Sequence, residues 1–224
     1  MAETTDKPIV ILGGGGHARV LVSCLQRLGL NILGLAVPAE SKVEDILGEK
    51  ILGSDDDILK YAPQEILLAN GIGMIVGSDQ RKKVAQKFRK SGYKFVTVRD
   101  PTAVVLSEVE LGEGVQILAG VVVQPGVKIG ADTIINTRAS VDHDCIIGND
   151  CHVCPGVTIA GSVTVGSETM IGTGSTVVPG VSIGSSCLVA ASSVVFEDLP
   201  DDTYFVQQRE TSTKNRKEIK DNNL

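Results

Sequence analysis

The chain has 224 residues, a formal net charge of -6, 42% hydrophobic and 3% aromatic residues, no Trp and five Cys. That length holds one or two domains, and an acidic chain without clustered Lys and Arg is unsuited to a nucleic-acid backbone or an anionic membrane as its main partner. The leading MAETTDKP lacks the basic and apolar regions of a secretory signal and no apolar run reaches membrane-spanning length, so a cytoplasmic protein acting on small molecules, without membrane insertion, is expected.

Residues 8–12 (PIVIL) carry a buried-strand pattern, followed by Gly13, Gly14, Gly15, Gly16, His17 and Ala18. Apolar residues at Val20, Leu21, Cys24, Leu25 and Leu28 then recur at helical spacing, closed by Gly29. A second apolar run at residues 31–37 completes a βαβ unit whose glycine loop and helix N-terminus are placed for an anion such as a phosphate. Residues 65–70 and 94–98 read as two more strands, separated by a helix that Ser78 caps and Gly92 ends. These elements predict a Rossmann-like α/β domain over residues 1–103. Gly13, Gly15 and Ala18 also satisfy GxGxxA, but Val37 and Pro38 stand where a dinucleotide site has its ribose-binding acid, which argues against nicotinamide or flavin. A glycine turn that only packs a helix on a sheet is the alternative. His17 weighs against it, because an imidazole in the mouth of an anion loop has little packing use yet can donate to a phosphate or line a ligand site.

From Val105 to Val195 every sixth residue is Leu, Ile or Val, sixteen of sixteen without an insertion. This is the pattern of a hexapeptide-repeat solenoid. The fifth position is small or β-branched as well, so both positions point inward. Gly112, Gly130, Gly148, Gly166, Gly172 and Gly184 at the second position suit a chain that turns a corner after each short strand. Three strands per eighteen-residue turn give a triangular prism of about five coils over residues 104–196. Residues 197–224 read as a polar tail, with Ile219 and Leu224 the only aliphatic residues from Gln207 onward, predicted to be disordered or a loose flap. Cys145, Cys151 and Cys187 fall at inward positions and Cys24 on an apolar helix face, as small hydrophobes would. The Cys151/Cys154 pair is split by the repeat between core and corner, which disfavours a metal or redox role.

Two of the three histidines, His143 and His152, lie in the coils at non-inward positions, expected at or near corners. Solvated corner residues are the plain reading. The chemical one is that His143 takes a proton from an amine or hydroxyl attacking a carbonyl, Asp144 fixes its tautomer, and Gly161, eighteen residues on, offers a backbone N–H to the oxyanion. Adjacent strand residues point apart, so Asp144 reaches the ring only from a corner conformation.

GGGGHA after a first strand, NGIG at residues 70–73, Arg81 in the following helix, and HD within an unbroken hexapeptide array together resemble the PglD/NeuD-like sugar acetyltransferases over residues 7–196. The resemblance implies a left-handed parallel β-helix, a homotrimer with acetyl-CoA between neighbouring helices, and acetyl transfer to the amine of a nucleotide-linked 4-amino-4,6-dideoxy sugar. It implies His143 as general base, Asp144 as its acidic partner and Gly161 as the oxyanion amide. It further implies His152 at the thioester end of CoA, Thr173 and Ala191 along the pantetheine, and Gly15, Gly16 and His17 as the phosphate loop, with Gly71 and Gly73 nearby. Many relatives carry an Asp pair that meets the nucleotide base, where this chain has Val37 and Pro38. The usual HP before the first coil is Asp100 and Pro101, and the usual GxPA exit is replaced by Phe205, Val206, Gln207 and Gln208. No metal is expected. O-acetylation of a sialic-acid-like sugar uses the same residues, a metal-dependent hydratase would need three histidine ligands where the coils hold two, and a sugar-nucleotide-binding solenoid without catalysis is the non-enzymatic alternative.

Overall fold

The computed structural model describes residues 6–207. The expected disorder of the last residues, 208–224, and the reading of residues 1–5 as no signal lie outside them.

The N-terminal unit comprises β1 (Ile9–Leu12), α1 (Gly16–Arg27), β2 (Ile32–Ala36), β3 (Asp45–Ile46), β4 (Glu49–Gly53), α2 (Asp55–Ile58), β5 (Leu67–Asn70) and α3 (Gln80–Lys90). Its sheet order is β3-β4-β2-β1-β5, parallel except for the β3–β4 hairpin. β1 is buried along its whole length, because helices cover both faces of a parallel sheet. The segment β3–β4–α2 was not legible as structure: β3 is a two-residue edge strand, β4 beside it shows no regular burial alternation, and α2 is a single turn held by Ser54 N–H donating to Asp57 Oδ2 at 2.8 Å. α3 starts two residues after the expected Ser78 cap, with Asp79 preceding its first turn and making no side-chain cap bond.

Residues 94–98 do not form the expected strand. Phe95 makes one bridge to Leu68, and the chain then leaves the sheet as β6 (Val98–Arg99), which pairs with Gln116–Ile117 of the solenoid. The coil therefore begins inside the expected first domain, ahead of residue 103. It also runs past 196, since Tyr204–Phe205 pairs with Leu188–Val189. Both additions cover terminal strand edges: Val98 N–H donates to Val115 O and Leu188 N–H to Thr203 O, each at 2.8 Å.

The solenoid is a parallel β-prism with faces of seven, six and five strands. The first face stacks β6, Gln116–Ile117, Ile134–Ile135, His152–Val153, Met170–Ile171, Leu188–Val189 and Tyr204–Phe205. The second runs from Val104–Val105 to Val194–Val195 and the third from Glu110–Leu111 to Ser182–Ile183. Inward residues such as Ile117, Val153 and Val189 are fully buried, each contributing on the order of 1.5–3 kcal/mol. Every sixth residue from Glu108 to Ser192 has φ in the left-handed region. This is the fourth hexad position, where only some residues are Gly, so the corner is made there. The second-position glycines serve close approach instead: a Cβ on Gly166 would stand 2.4 Å from Ser185 N of the next coil.

α1 lies between the N-terminal sheet and the first face, its Leu21, Val22 and Leu25 sharing a core with Leu118 and Ile134. α3 reaches the corner between the third and first faces, where Arg89 pairs with Asp132 and Lys82 Nζ lies 2.6 Å from Glu168. No helix of the described residues is long and apolar enough to cross a membrane.

Candidate functional site

Two constellations carry chemistry. The first is a cleft of about 670 Å³ at the carboxyl ends of β1, β2, β4 and β5, lined by Gly13 to His17, Pro38, Asp55, Gly71, Gly73 and Lys87 among others. Open parallel sheets bind ligands at this end. Gly15, in extended conformation, leads into α1, whose first turn carries no acidic side chain, leaving the helix N-terminus favourable for an anion. A Cβ on Gly15 or Gly16 meets nothing within 4 Å, so a side chain there would stand in the cleft. Gly14 and Gly71 answer to packing, their Cβ atoms falling 2.7 Å from Val37 and 2.8 Å from Ile11.

His17 closes the solenoid side of this cleft. Its Nε2 is 2.7 Å from Gln116 Oε1, so the ring donates there, and Gln116 Nε2 donates to Asn70 O at 2.9 Å. Burial, with Arg81 nearby, lowers its pKa to about 4. His17 is therefore a neutral ring anchored to the first face, rather than a cation for a phosphate. Arg81 is buried and donates to Asn70 O at 2.8 Å and Ile72 O at 2.6 Å, fixing the loop that carries Gly71 and Gly73.

The second constellation lies at the corner between the second and third faces. Asp144 occupies the left-handed position with φ 58°, which turns its carboxylate back to place Oδ2 2.9 Å from His143 Nδ1. The hydrogen bond to Asp144, with Asp142 and Asp144 as neighbouring charges, raises the pKa of His143. The other edge of the ring lies over Gly161, where a Cβ would stand 2.6 Å from Nε2. Ala160 and Ser162 donate their N–H groups to Val177 O and His143 O, while Gly161 N–H makes no backbone hydrogen bond among the described residues. An imidazole with an oriented tautomer thus sits beside an amide without a backbone partner among the described residues.

His152 is not with them. It lies within a strand of the first face, correcting the corner expectation: the sixth hexad position is the outward residue of the strand before inward Val153. Asn136 Nδ2 approaches its Nε2 at 2.9 Å, its Nδ1 is buried without a partner, and burial with His17 and Arg81 nearby lowers its pKa to about 4. Thr173 and Ala191 are exposed on the corner between the first and second faces, a shallow strip one face away from His143. Hence His143, Asp144 and Gly161 cluster, as do Gly15, Gly16, His17, Gly71 and Gly73, with His152 on the first face near His17, whereas Thr173 and Ala191 join neither group. Burial raises the thiol pKa of Cys24 to about 12 and of Cys151 and Cys154 to about 11, which makes poor nucleophiles. Gln116 and Asn136 were missed from sequence, and Asn70 was noted only as part of the NGIG motif; a polar Gln at an outward position beside apolar Ile134 was the available signal.

The N-terminal part matches the model of the PglD N-terminal domain over residues 8–88 and the coils match the bacterial transferase hexapeptide (six repeats) over residues 108–139 and 126–161. Among solved structures, a perosamine N-acetyltransferase from Caulobacter crescentus, a histidine variant in complex with CoA and GDP-perosamine, is 37% identical with a TM-score of 0.81, covering 88% of this chain and 92% of that one. The acetyltransferase domain of PglB from Neisseria gonorrhoeae, in complex with acetyl coenzyme A, is 25% identical with a TM-score of 0.81 over 88% and 95% of the two chains. WeeI from Acinetobacter baumannii, 23% identical with a TM-score of 0.76 over 87% and 94%, shares the fold.

Proposed function

Because the chain belongs to the PglD-like hexapeptide sugar acetyltransferases and is an acyltransferase, we propose that it transfers the acetyl group of acetyl-CoA to the amine of a nucleotide-linked 4-amino-4,6-dideoxy sugar. The observation that carries this reading is the exposed His143 ring, held by Asp144 and laid over Gly161. In a ternary complex His143 removes a proton from the acceptor nitrogen, the nitrogen attacks the thioester carbonyl and the Gly161 N–H receives the oxyanion. The C–N bond forms, the C–S bond breaks, and the departing thiolate takes the proton back from His143. Holding both reactants supplies proximity without a covalent enzyme intermediate.

The nucleotide diphosphate occupies the cleft at Gly15 and Gly16. Thr173 and Ala191 line the pantetheine and His152 stands at its thioester end. Within one chain the N-terminal unit covers the first face while His143 lies on the opposite corner. The reactants therefore meet only if a neighbouring protomer supplies the second wall, which supports a homotrimer with sites between subunits. Five free thiols suit the reducing cytoplasm. Asp142 and Asp144 beside His143 favour an acceptor amine and repel the carboxylate of a sialic acid, so the N-acetyl reading is preferred to O-acetylation.

The test is release of the CoA thiol with GDP-, UDP- and dTDP-linked 4-amino-6-deoxy sugars, their hydroxyl counterparts and free sialic acids. Release with an amino sugar that drops by about 10²–10⁴ in His143→Ala is expected. Near-normal turnover in that variant would overturn the assignment of the base, and release with hydroxyl acceptors alone would move it to O-acetylation.

A further inference from the structure

We propose that Asp55 reads a guanine base at the far end of the cleft, so that the acceptor sugar is carried on GDP. This rests on the nucleotide-sugar reading above and names the nucleotide. Relatives that read their base with an Asp pair after the second strand offer no guide, because that place is held by the apolar side chains of Val37 and Pro38, and the next acid, Glu40, lines the cleft from an exposed position.

The sheet order places the end of β4 two strands from the glycine loop at the end of β1. Strands are spaced so that this is roughly 10 Å, the reach from a diphosphate across a ribose to a base edge. The chain enters α2 there through Ser54, Asp55, Asp56 and Asp57. Asp57 is occupied, accepting from Ser54 N–H at 2.8 Å, from Ser54 Oγ at 3.0 Å and from Lys60 at 2.6 Å. Asp56 also lines the cleft but is 85% exposed and paired with Lys87 at 3.0 Å. Asp55 is only 34% exposed, lines the cleft, and has Lys87 Nζ at 3.8 Å. It is a carboxylate half withdrawn from water at the place where the base must lie.

Donor pattern then selects the base. Guanine presents N1–H and an N2 amino hydrogen side by side, the arrangement that both oxygens of a carboxylate accept. Uracil and thymine present one N–H between two carbonyl oxygens, so one carboxylate oxygen finds a donor while the other faces a carbonyl oxygen. Adenine and cytosine place a ring acceptor beside their single amino group, so one carboxylate oxygen would face a lone pair.

Isothermal titration of the full-length protein with GDP, IDP, UDP, dTDP and ADP tests this. IDP differs from GDP only by the missing 2-amino group. The expected result is GDP binding about tenfold or more tighter than IDP and UDP, because a hydrogen bond to a charged group is lost. In Asp55→Asn and Asp55→Ala the GDP-to-IDP ratio falls to near one while thermal melts show both variants folded. A ratio that persists in both variants, or UDP binding more tightly than GDP, overturns the role of Asp55 and leaves the nucleotide-sugar reading standing. No binding of any nucleoside diphosphate overturns both.

Discussion

At the scale of residues, the proposed chemistry depends on one backbone conformation. His143 and Asp144 are adjacent, and in an extended strand their side chains would diverge; the left-handed φ of Asp144 instead brings carboxylate and ring together. This has a signed consequence for pH. In the proposed mechanism His143 must be neutral to take a proton, and its pKa is raised above the ordinary 6.5 by the Asp144 hydrogen bond, so activity is expected to be lost as pH falls through that raised value. Removing the carboxylate in Asp144→Asn brings the pKa back down and moves the acid limb of kcat/KM to lower pH, with a reduced plateau because the tautomer is no longer held. An acid limb that stays in place would show that another group titrates. The pairing was expected from sequence as conditional on a corner, but the fourth hexad position carries Asp, Glu, Ser and Arg as well as Gly, which hides the turn in the residue types.

At the scale of elements, the repeat reports its own phase because each coil buries the same two positions. A strictly periodic Leu, Ile and Val pattern leaves no other register that keeps Ile117, Ile135, Val153 and Ile171 in one dry stack. The glycines had a different reason from the expected one. Gly112, Gly148 and Gly166 lack a side chain because the next coil's backbone passes within van der Waals distance of where it would be. Gly166→Ala should therefore destabilise the solenoid by about 1–3 kcal/mol, read as a lower midpoint in denaturant, since the alanine Cβ must displace backbone. An unchanged midpoint would mean that the coil spacing yields easily. Irregular elements were less legible. β3 and α2 are short, β4 lacks a regular burial alternation, and their stability comes from the β2–β4 and β3–β4 pairings and from the Ser54–Asp57 cap rather than from an amphipathic pattern of their own.

At the scale of the molecule, the two constellations lie on opposite sides of a single chain. The glycine-loop cleft belongs to the unit docked on the first face, and His143 projects from the far corner. If sites form between protomers of a trimer, two individually inactive variants should complement each other. Co-assembled in equal amounts, His143→Ala, with an intact cleft, and Gly15→Leu, with an intact base, should regain about a quarter of the wild-type activity per site by random mixing. A site contained in one chain would regain none. Sedimentation of the same mixture reports whether trimers form at all.

The sequence by itself determined the prism, the strand–glycine loop–helix opening and the candidates His143, Asp144 and Gly161, because repeated burial and fixed coil spacing are written as residue periodicity. Tertiary structure decided the rest. Only packing of α1 against the first face neutralises and anchors His17 through Gln116, and only the stacking of successive coils sets His152 beside Asn136 instead of at a corner. Only the parallel stacking of β1, β2 and β4 brings Asp55 into the cleft that begins at Gly15 and Gly16. Contacts of this kind join residues tens of positions apart through desolvation and hydrogen bonding, and such pairings leave no local period to read.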